Sequence, residues 1–386
     1  MKFVPFELER WQCTWENRVR INLSESGVHP LTLRGLVDLA GIDFGDLERV
    51  RLGYNQSDGT DGLRREIATL YPGATEDNVI VTVGSSEANF ITCWTLLEPG
   101  DRAVILAPLY RQTWGLSQNF RAELVTFDLQ EEAGWEPDPD EVSRVITPDT
   151  KLVVITNPNN PTGHRLSGEA RSLIIDRARA AGAWLLADEV YQGAELDGQT
   201  TPSFWGSYDR AVVVNGLSKA YGLPGLRIGW AVGTEDFKQA VYRRHDYTVI
   251  GPATQSDFLA TKALQARDHI LSRTRRILNE NYPVLSSWLE TFGDAIVWQT
   301  PDCGAICFPR LTPVADTMDL AEKVRQECDI LIEPGEHFGL PGFVRFGYGN
   351  ETGELPRRNG WPAGALPFPR TAIPPCRLTS SWKASP

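Results

Sequence analysis

Short apolar runs alternate with stretches of helical periodicity from residue 46 to about residue 293. The runs are rich in Val, Ile and Leu and do not strictly alternate with polar residues, which is typical of parallel strands buried on both faces. Strands joined by crossover helices produce this succession of elements. The pattern therefore predicts an α/β chain with a mostly parallel seven-stranded sheet. The predicted strands are Asn78 to Val83, Ala103 to Leu106, Glu123 to Phe127, Leu152 to Thr156, Trp184 to Ala187, Ala211 to Asn215 and Ile228 to Val232.

Helix boundaries are marked by caps and by Pro or Gly stops. A helix over Gly62 to Leu70 opens after an Asp61 cap, and another over Gly168 to Ala181 ends at Gly182. A third, Ser86 to Leu97, ends before a Pro-Gly pair. These boundaries support the division of the sheet region into βα units.

The predicted elements divide the chain into two domains and a tail. Residues 46–293 form the large domain, while residues 1–45 and 294–353 form a smaller α/β domain. Residues 354–386 contain seven prolines and five Lys or Arg against one Glu, without a helical or strand period. That composition predicts an extended or disordered tail.

The charge balance and the cysteine content narrow the class of protein. A net charge of -12 among 386 residues argues against nucleic-acid binding, which relies on clustered Lys and Arg. The six cysteines are scattered and form no disulfide framework or paired metal knuckle, so we expect a reducing compartment and no metal site. Residues 1–15 lack an uninterrupted apolar segment, and no stretch has the length of a membrane span. We therefore expect a cytoplasmic protein without a membrane partner.

The strongest chemical motif is GLSKAYGLPGLRIG at residues 216–229, with Lys219 eight positions before Arg227. An amine that must form an imine needs an open loop, and a guanidinium can clamp a phosphate. The segment resembles, position for position, the pyridoxal 5'-phosphate (PLP) attachment signature of class I/II aminotransferases. This resemblance implies aminotransferase fold type I and a PLP cofactor held by Lys219 as a Schiff base. It also places Ser218 and Arg227 at the cofactor.

Three other motifs, all before Lys219 in the chain, match that family in order and spacing. Gly84, Ser85 and Ser86 end a predicted strand and open a helix, so backbone N–H groups are free to bind an anion. The resemblance implies that this turn holds the cofactor phosphate together with Arg227. In the NPNNPTG turn of residues 157–163, Asn160 matches the asparagine that hydrogen-bonds the pyridine O3'.

Asp188 ends a predicted strand, at the edge of an open α/β sheet where ligands bind. A carboxylate at that edge can keep the pyridine nitrogen protonated and strengthen the ring as an electron sink. Tyr191 resembles the tyrosine that donates to O3', and Tyr110 resembles the aromatic residue that stacks on the ring. Tyr54 resembles the tyrosine that reaches the partner's phosphate, which implies a homodimer.

Substrate contacts are also implied by the resemblance. Arg345 resembles the arginine that binds the substrate α-carboxylate through two hydrogen bonds. Gly27 and Glu9 are the other two residues assigned to the substrate, because the N-terminal segment borders the pocket in this fold. Glu7 and Glu25 lie in the same segment, whereas His29 is interpreted as a loop residue.

Transamination of an α-amino acid is the first expected reaction, because it is the family's commonest outcome. The alternative is elimination and cyclisation. Residues 23–29, 217–230 and 305–310 resemble capreomycidine synthases, enzymes of this fold that cyclise a hydroxylated arginine. The side chain of such a substrate needs an acidic contact.

Two other classes are disfavoured. A PLP-dependent regulator would need an N-terminal DNA-binding domain, and residues 1–45 are too short and too acidic for one. A nicotinamide oxidoreductase is disfavoured because no GxGxxG follows a predicted strand. The chain departs from the aminotransferase pattern at its end, where the proline-rich tail replaces the usual terminal amphipathic helix.

Overall fold

A computed structural model describes residues 3–351 of the chain. The α-helices are α1 Glu7–Trp15, α2 Leu33–Ala40, α3 Phe44–Glu48, α4 Asp61–Ala68, α5 Ser85–Leu96, α6 Gln112–Asn119, α7 Pro139–Val145, α8 Gly168–Ala181, α9 Glu235–His245, α10 Thr254–Gln265, α11 Arg267–Glu290 and α12 Thr317–Cys328. The strands are β1 Ile21–Asn22, β2 Val79–Val83, β3 Arg102–Ala107, β4 Glu123–Gln130, β5 Glu136–Pro137, β6 Thr150–Thr156, β7 Trp184–Asp188, β8 Ala211–Gly216, β9 Ile228–Val232, β10 Ile296–Val297, β11 Ile306–Cys307, β12 Arg310–Leu311, β13 Ile330–Leu331, β14 Glu333–Pro334 and β15 Val344–Gly347.

The central sheet has the strand order β2-β9-β8-β7-β6-β3-β4-β5. Strands β8, β7, β6, β3 and β4 pair in parallel, whereas β9 is antiparallel to both of its neighbours. All seven predicted strands are present in this sheet, which confirms the predicted α/β fold. The sheet also has an eighth strand, β5, which pairs antiparallel with β4. Two residues are too few to produce a periodic pattern in the sequence.

Both faces of the sheet are buried, as predicted from apolar runs in which polar residues do not occupy every second position. In β6, Val153 and Ile155 belong to one hydrophobic cluster, while Leu152 and Val154 belong to the other. Successive side chains of a strand point to opposite faces, so a strand covered on both sides must be apolar throughout. Because β3, β4, β6, β7 and β8 are parallel, the polar residues that follow them meet at the carboxyl edge of the sheet.

Helix α4 is capped by Thr60 and not by Asp61, so the predicted cap was wrong by one residue. The Thr60 side chain accepts a hydrogen bond from the Leu63 backbone N–H, and the Thr60 backbone is extended. Asp61 already has helical geometry and is the first residue of the helix. A capping residue must have non-helical backbone angles, which Thr60 alone of the two provides.

The N-terminal segment contacts both parts of the chain. Strand β1 pairs in parallel with β13, and the Trp11 Nε1–H donates to the Ile332 carbonyl over 3.1 Å. On the other side, the Val4 N–H donates to Asn119 Oδ1 of helix α6 over 2.9 Å. The division into residues 46–293 and residues 1–45 with 294–353 stays a prediction, and the proline-rich tail lies outside the described residues.

Two further observations concern the described range as a whole. The cysteines at positions 13, 93, 303 and 307 are free thiols. Between residues 3 and 351, no helix combines the length and the apolar character needed to cross a bilayer.

Candidate active site

A cavity of about 760 Å³ lies at the carboxyl edge of the sheet, bordered by helix α1 and strand β15. It is lined by most of the residues that the sequence assigned to cofactor and substrate. These are Glu9, Ser85, Ser86, Tyr110, Asn160, Asp188, Tyr191, Ser218, Lys219, Arg227 and Arg345. The fold therefore brings together side chains that are more than 300 positions apart in the chain.

Lys219 forms an ion pair with Glu25, whose Oε1 lies 3.0 Å from the lysine Nζ. The same carboxylate oxygen accepts the backbone N–H groups of Ser26 and Gly27 over 2.8 and 2.9 Å. Lys219 and these hydrogen bonds outweigh burial and lower the pKa of Glu25 to about 2. Burial lowers the pKa of Lys219, but Glu25 and Tyr191 together outweigh burial and raise it. The free amine is therefore held in its protonated form.

Gly27 brings its backbone close to the lysine loop. A Cβ at this position would lie 3.1 Å from the Ser218 carbonyl oxygen and 3.6 Å from the Lys219 Cα. A larger residue would displace the loop that carries Lys219. Gly27 therefore contributes through its small size and its N–H group, and its role in substrate binding stays a prediction.

One end of the cavity has the features of an anion site. Helix α5 begins at Ser85, and its first N–H groups have no acceptor within the helix. Gly84 has a φ of 77°, and a Cβ there would lie 2.3 Å from the Arg227 Nη2, so the guanidinium lies directly against the turn. Arg227 itself has a left-handed backbone with φ of 51°, a conformation that is costly for a residue with a side chain.

Asp188 ends β7 and is buried behind the lysine. Its Oδ2 accepts from the Asn89 Nδ2 over 2.9 Å, and its Oδ1 accepts from the Val190 N–H over 3.2 Å. Burial raises the pKa of Asp188, while Asn89 and Val190 favour its charged form. The Asn89 Oδ1 is buried and has no partner among the described residues. Asn89 was not predicted from the sequence, although it is a lone amide in an apolar helix one turn after Ser85.

Arg345 and Asn160 are joined at the other side of the cavity. The Arg345 Nη1–H donates to the Asn160 Oδ1 over 2.8 Å, and its Nη2–H donates to the Ser24 carbonyl. Arg345 is 1% exposed, and its Nε has no hydrogen-bond acceptor within the part of the chain that the structure describes. The Tyr191 hydroxyl donates to the Ser26 Oγ over 3.0 Å. Ser26 is a second residue that the sequence did not identify.

Tyr110 connects the cavity to helix α1. Its hydroxyl donates to the Glu9 carboxylate, and its ring packs edge-on against Phe6 at 4.9 Å. Burial and Glu9 raise the pKa of Tyr110 well above its usual value, so the phenol stays protonated. Glu16, which was not predicted from the sequence, lines the same cavity.

Three residues considered from the sequence lie away from this cavity. Tyr54 is 96% exposed on the surface of the single chain. Glu7 is exposed on helix α1 and does not line the cavity. The His29 N–H donates to the Gly349 carbonyl, and its Nε2 lies 3.8 Å from Glu351.

Comparison with known families identifies the chain. The model of the aminotransferase class I and II family matches residues 40–357. The chain belongs to this family. The predicted resemblance is therefore confirmed over most of the chain, including the lysine motif and the Arg345 strand.

Proteins similar to this chain include a synthase and an aminotransferase. Capreomycidine synthase of Streptomyces vinaceus is 30% identical over 352 residues, which cover 91% of this chain and 90% of that protein. The aspartate/prephenate aminotransferase of Thermus thermophilus is 28% identical over 278 residues, covering 71% of each protein.

Solved structures give the same two kinds of neighbour. A PLP-dependent aminotransferase from Streptococcus suis superposes with a TM-score of 0.86 at 31% identity, covering 91% of this chain and 94% of that one. The PLP-dependent cyclase OrfR superposes with a TM-score of 0.85 at 28% identity, with the same coverage. The fold alone therefore does not distinguish amino-group transfer from cyclisation.

Proposed function

We propose that this aminotransferase-family enzyme binds PLP in the cavity, attaches it covalently through Lys219, and transaminates an α-amino acid. The observation that carries the proposal is the arrangement around Lys219, with an anion site at one end and Arg345 at the other. The residues fit the cofactor, since the α5 N-terminus and Arg227 suit its phosphate and Asp188 suits its pyridine nitrogen. The Asn89 Oδ1 beside Asp188 has no partner among residues 3–351, which also supports a polar ligand at this position.

Each remaining side chain has a role in this proposal. Bound PLP supplies an electron sink for the pair left when the Cα–H bond breaks. Tyr110 offers an aromatic face, while Asn160 and Tyr191 offer hydrogen bonds near the ring. Arg345 is oriented by Asn160 to bind the α-carboxylate of the substrate through its guanidinium. Lys219 takes the Cα proton once its amine is free and neutral.

The reaction is tested by the products formed from a panel of amino acids, with and without a keto-acid acceptor. Transamination predicts keto-acid formation that depends on the acceptor and stoichiometric transfer of the amino group. Holoenzyme that makes no keto acid with any acceptor would exclude transamination. The panel includes 3-hydroxyarginine because of the second candidate function.

The second candidate is elimination followed by cyclisation of a hydroxylated, cationic amino acid. It is favoured by Glu25, which lies 3.0 Å from the Lys219 Nζ. Elimination of water needs the Cα proton to be taken and the leaving hydroxyl to be protonated, and Glu25 beside Lys219 offers a second group for the second of these tasks, which a transamination proton shift does not include. The pKa of Glu25 is low chiefly because of the Lys219 ammonium, so loss of that ammonium raises the pKa and increases the fraction of Glu25 that carries a proton.

Glu25→Gln distinguishes the two reactions. If the enzyme eliminates water, the variant no longer removes water from 3-hydroxyarginine. It still exchanges the Cα proton with solvent, because Lys219 remains. If the enzyme transaminates, acceptor-dependent keto-acid formation is retained in the variant. The Cα exchange rate, followed by incorporation of solvent deuterium, serves as the internal control for a functional base.

We also propose that the enzyme is a homodimer in which Tyr54 reaches the partner's cofactor phosphate. The proposal is supported by four strongly exposed side chains on two adjacent segments, residues 50–57 and 247–251. These side chains are Leu52, Tyr54, Tyr247 and Ile250. Exposed apolar clusters of this kind mark interaction surfaces.

Light scattering tests the dimer. The wild-type chain is expected to show twice the mass of one chain, and Leu52→Glu with Ile250→Glu is expected to shift it toward the monomer. Leu33→Glu is the matched control, because Leu33 is also exposed but lies on helix α2. A monomeric wild-type chain at micromolar concentration would contradict the proposal.

A cytoplasmic location is proposed as well. It is supported by the free thiols at Cys93, Cys303 and Cys307, which are buried without disulfide partners. Fractionation of cells that express the protein tests it, since recovery in an oxidising compartment would contradict the proposal.

A further inference from the structure

His164 closes the turn that carries Asn160. The Asn159 N–H donates to the His164 carbonyl over 2.8 Å, and the Gly163 N–H donates to the Asn159 carbonyl over 2.9 Å. The His164 side chain is 14% exposed. The motif of residues 157–163 ends one residue before His164, so the motif alone does not identify it. His164 is nevertheless part of the structure that places Asn160 in the cavity.

Both ring nitrogens of His164 face a carboxylate oxygen. The Nε2 lies 3.1 Å from the Glu136 Oε1 on β5, and the Nδ1 lies 3.1 Å from the Asp302 Oδ2 in the loop between β10 and β11. A neutral imidazole has one N–H and would place a lone pair against one of these oxygens, whereas an imidazolium donates to both. This geometry therefore requires a protonated ring.

Each of the two carboxylates is fixed by a further donor. The Ser167 N–H donates to the Glu136 Oε1 over 2.8 Å, and the Arg165 N–H donates to the Asp302 Oδ2 over 3.0 Å. Burial lowers the pKa of His164, but Asp302 and Glu136 outweigh burial and raise it. Burial raises the pKa of both carboxyls, but His164 and these N–H groups outweigh burial and lower it. The three side chains therefore form a charged bridge.

The loop that carries Asp302 contacts two parts of the candidate site. The Asp302 and Cys303 N–H groups both donate to the Gly163 carbonyl over 3.0 Å. The Cys303 Sγ–H donates to the Tyr191 carbonyl over 3.2 Å. Gly304 lies against the Tyr191 ring, since a Cβ there would be 3.2 Å from the ring Cδ1. A displacement of this loop would therefore affect both the turn and Tyr191.

Asn160 connects the turn to Arg345. The Asn160 Oδ1 accepts from the Arg345 Nη1–H over 2.8 Å, which leaves the Asn160 amide nitrogen as its donor. Both groups need one fixed position of the turn, since a displacement of about 1 Å can reduce activity by roughly a hundredfold.

We infer that His164, held as an imidazolium between Glu136 and Asp302, is a positioning residue that fixes the turn of residues 157–163 and, through Asn160, orients Arg345 and the cofactor ring. This inference rests on the proposed function, because it assumes that PLP occupies the cavity.

The protonation state of His164 is measured on the apo-protein. Carbon-13 NMR of histidine-labelled protein follows all five histidines, and the spectrum of His164→Gln assigns the His164 signal. We expect this signal to change at a pH above 6.5, the ordinary pKa of histidine, because the bridge is lost only as the pH rises through the raised pKa. A signal that changes at or below pH 6.5 would overturn the inference.

The positioning role is measured by the absorbance of bound PLP as a function of pH. A donor to the ring O3' favours its anionic form, so a displaced Asn160 raises the pH at which the absorbance changes. His164→Gln is expected to shift that pH upward by about half a unit, a roughly threefold change in proton affinity. Asp302→Asn breaks the other end of the bridge and should give a similar shift. If neither variant shifts the titration, the inference is wrong.

Arg165→Gln is the matched control. Arg165 is the next residue, and its guanidinium pairs with Asp197 over 2.9 Å, so the variant removes an ion pair of the same kind beside the turn. It should leave the absorbance titration unchanged, and an equal shift would overturn the specific role of His164. A wild-type chain that shows no absorbance band with PLP would reject the proposed function, whereas the NMR titration still decides the state of His164.

Discussion

The Asn89 Nδ2–H donates to the Asp188 Oδ2 over 2.9 Å, joining the first turns of helix α5 to the carboxyl end of β7. Both residues are buried, and the Val190 N–H also donates to the Asp188 Oδ1. Burial raises the pKa of Asp188, and the Asn89 amide opposes part of that effect because it favours the charged carboxylate. Asn89 is a positioning residue for Asp188.

Asn89→Leu tests this role by removing the amide at similar side-chain size. We expect PLP to bind roughly tenfold more weakly, because Asp188 loses a hydrogen bond to its charged form. The measurement is titration of the apo-protein with PLP. Thr95→Val is the control, since Thr95 lies on the same helix and its hydroxyl donates to the Ile91 carbonyl. Equal weakening in both variants would indicate a general effect on helix α5.

Gly84→Ala is expected to weaken PLP binding more than any backbone effect explains. The Cβ would lie 2.3 Å from the Arg227 Nη2 and would displace the guanidinium from the phosphate site. Gly100→Ala is the matched control, because Gly100 also has a positive φ, 93°, but open space around a Cβ. Gly100→Ala therefore controls for placing a side chain at a positive φ. Equal PLP affinities of the two variants would contradict the assigned position of Arg227.

Glu25→Gln is expected to speed the attachment of PLP to apo-protein at neutral pH. Glu25 helps to raise the pKa of Lys219, so its removal lets burial lower that pKa and increases the fraction of neutral amine. Attachment rates followed by absorbance from about pH 6 to 9 should therefore be higher in the variant at each pH. Glu48→Gln, an exposed carboxylate on helix α3, is the control. A slower variant would show that Glu25 does not retain the proton on Lys219.

The same pair affects stability at acidic pH. The pKa of Glu25 is lowered from 4.5 to about 2, so its contribution is present above 4.5 and is lost as the pH falls toward 2. Apo-protein with Glu25→Gln should therefore show a smaller loss of unfolding free energy over that range than the wild type. Urea unfolding at the two ends of the range measures the difference, and identical losses would argue against the pair.

Arg345→Lys is expected to raise the KM for the amino acid by roughly tenfold or more, with a smaller change in kcat. Lysine keeps the charge but cannot bind a carboxylate through two parallel hydrogen bonds while also donating to Asn160. Arg310→Lys is the control, because Arg310 lies on strand β12 and pairs with Glu131. An unchanged KM would place the substrate carboxylate elsewhere.

The large sheet could be predicted because each long strand is a continuous apolar run between polar turns. The two-residue strands, such as β5 and β13, were not predicted, since their pairing depends on tertiary contacts and leaves no periodic pattern. The Thr60 cap differed from the predicted Asp61 because both residue types cap helices and only the backbone angles decide between them.

Most of the candidate site could be assigned because its residues lie in motifs at the ends of strands. The remaining contacts depend on how distant segments meet. Glu25 and Lys219 are 194 positions apart, and Glu9 and Tyr110 are 101 positions apart. Glu16 lines the cavity only because helix α1 turns one face toward it, so its sequence neighbours gave no signal.

Reduction of the PLP-saturated protein with borohydride, followed by mass spectrometry of the modified peptide, tests the role of Lys219 directly. We expect one cofactor per chain, on the peptide that contains Lys219, and no modification in Lys219→Ala. Modification of another lysine, or cofactor retained covalently in Lys219→Ala, would contradict the proposed role of this cavity.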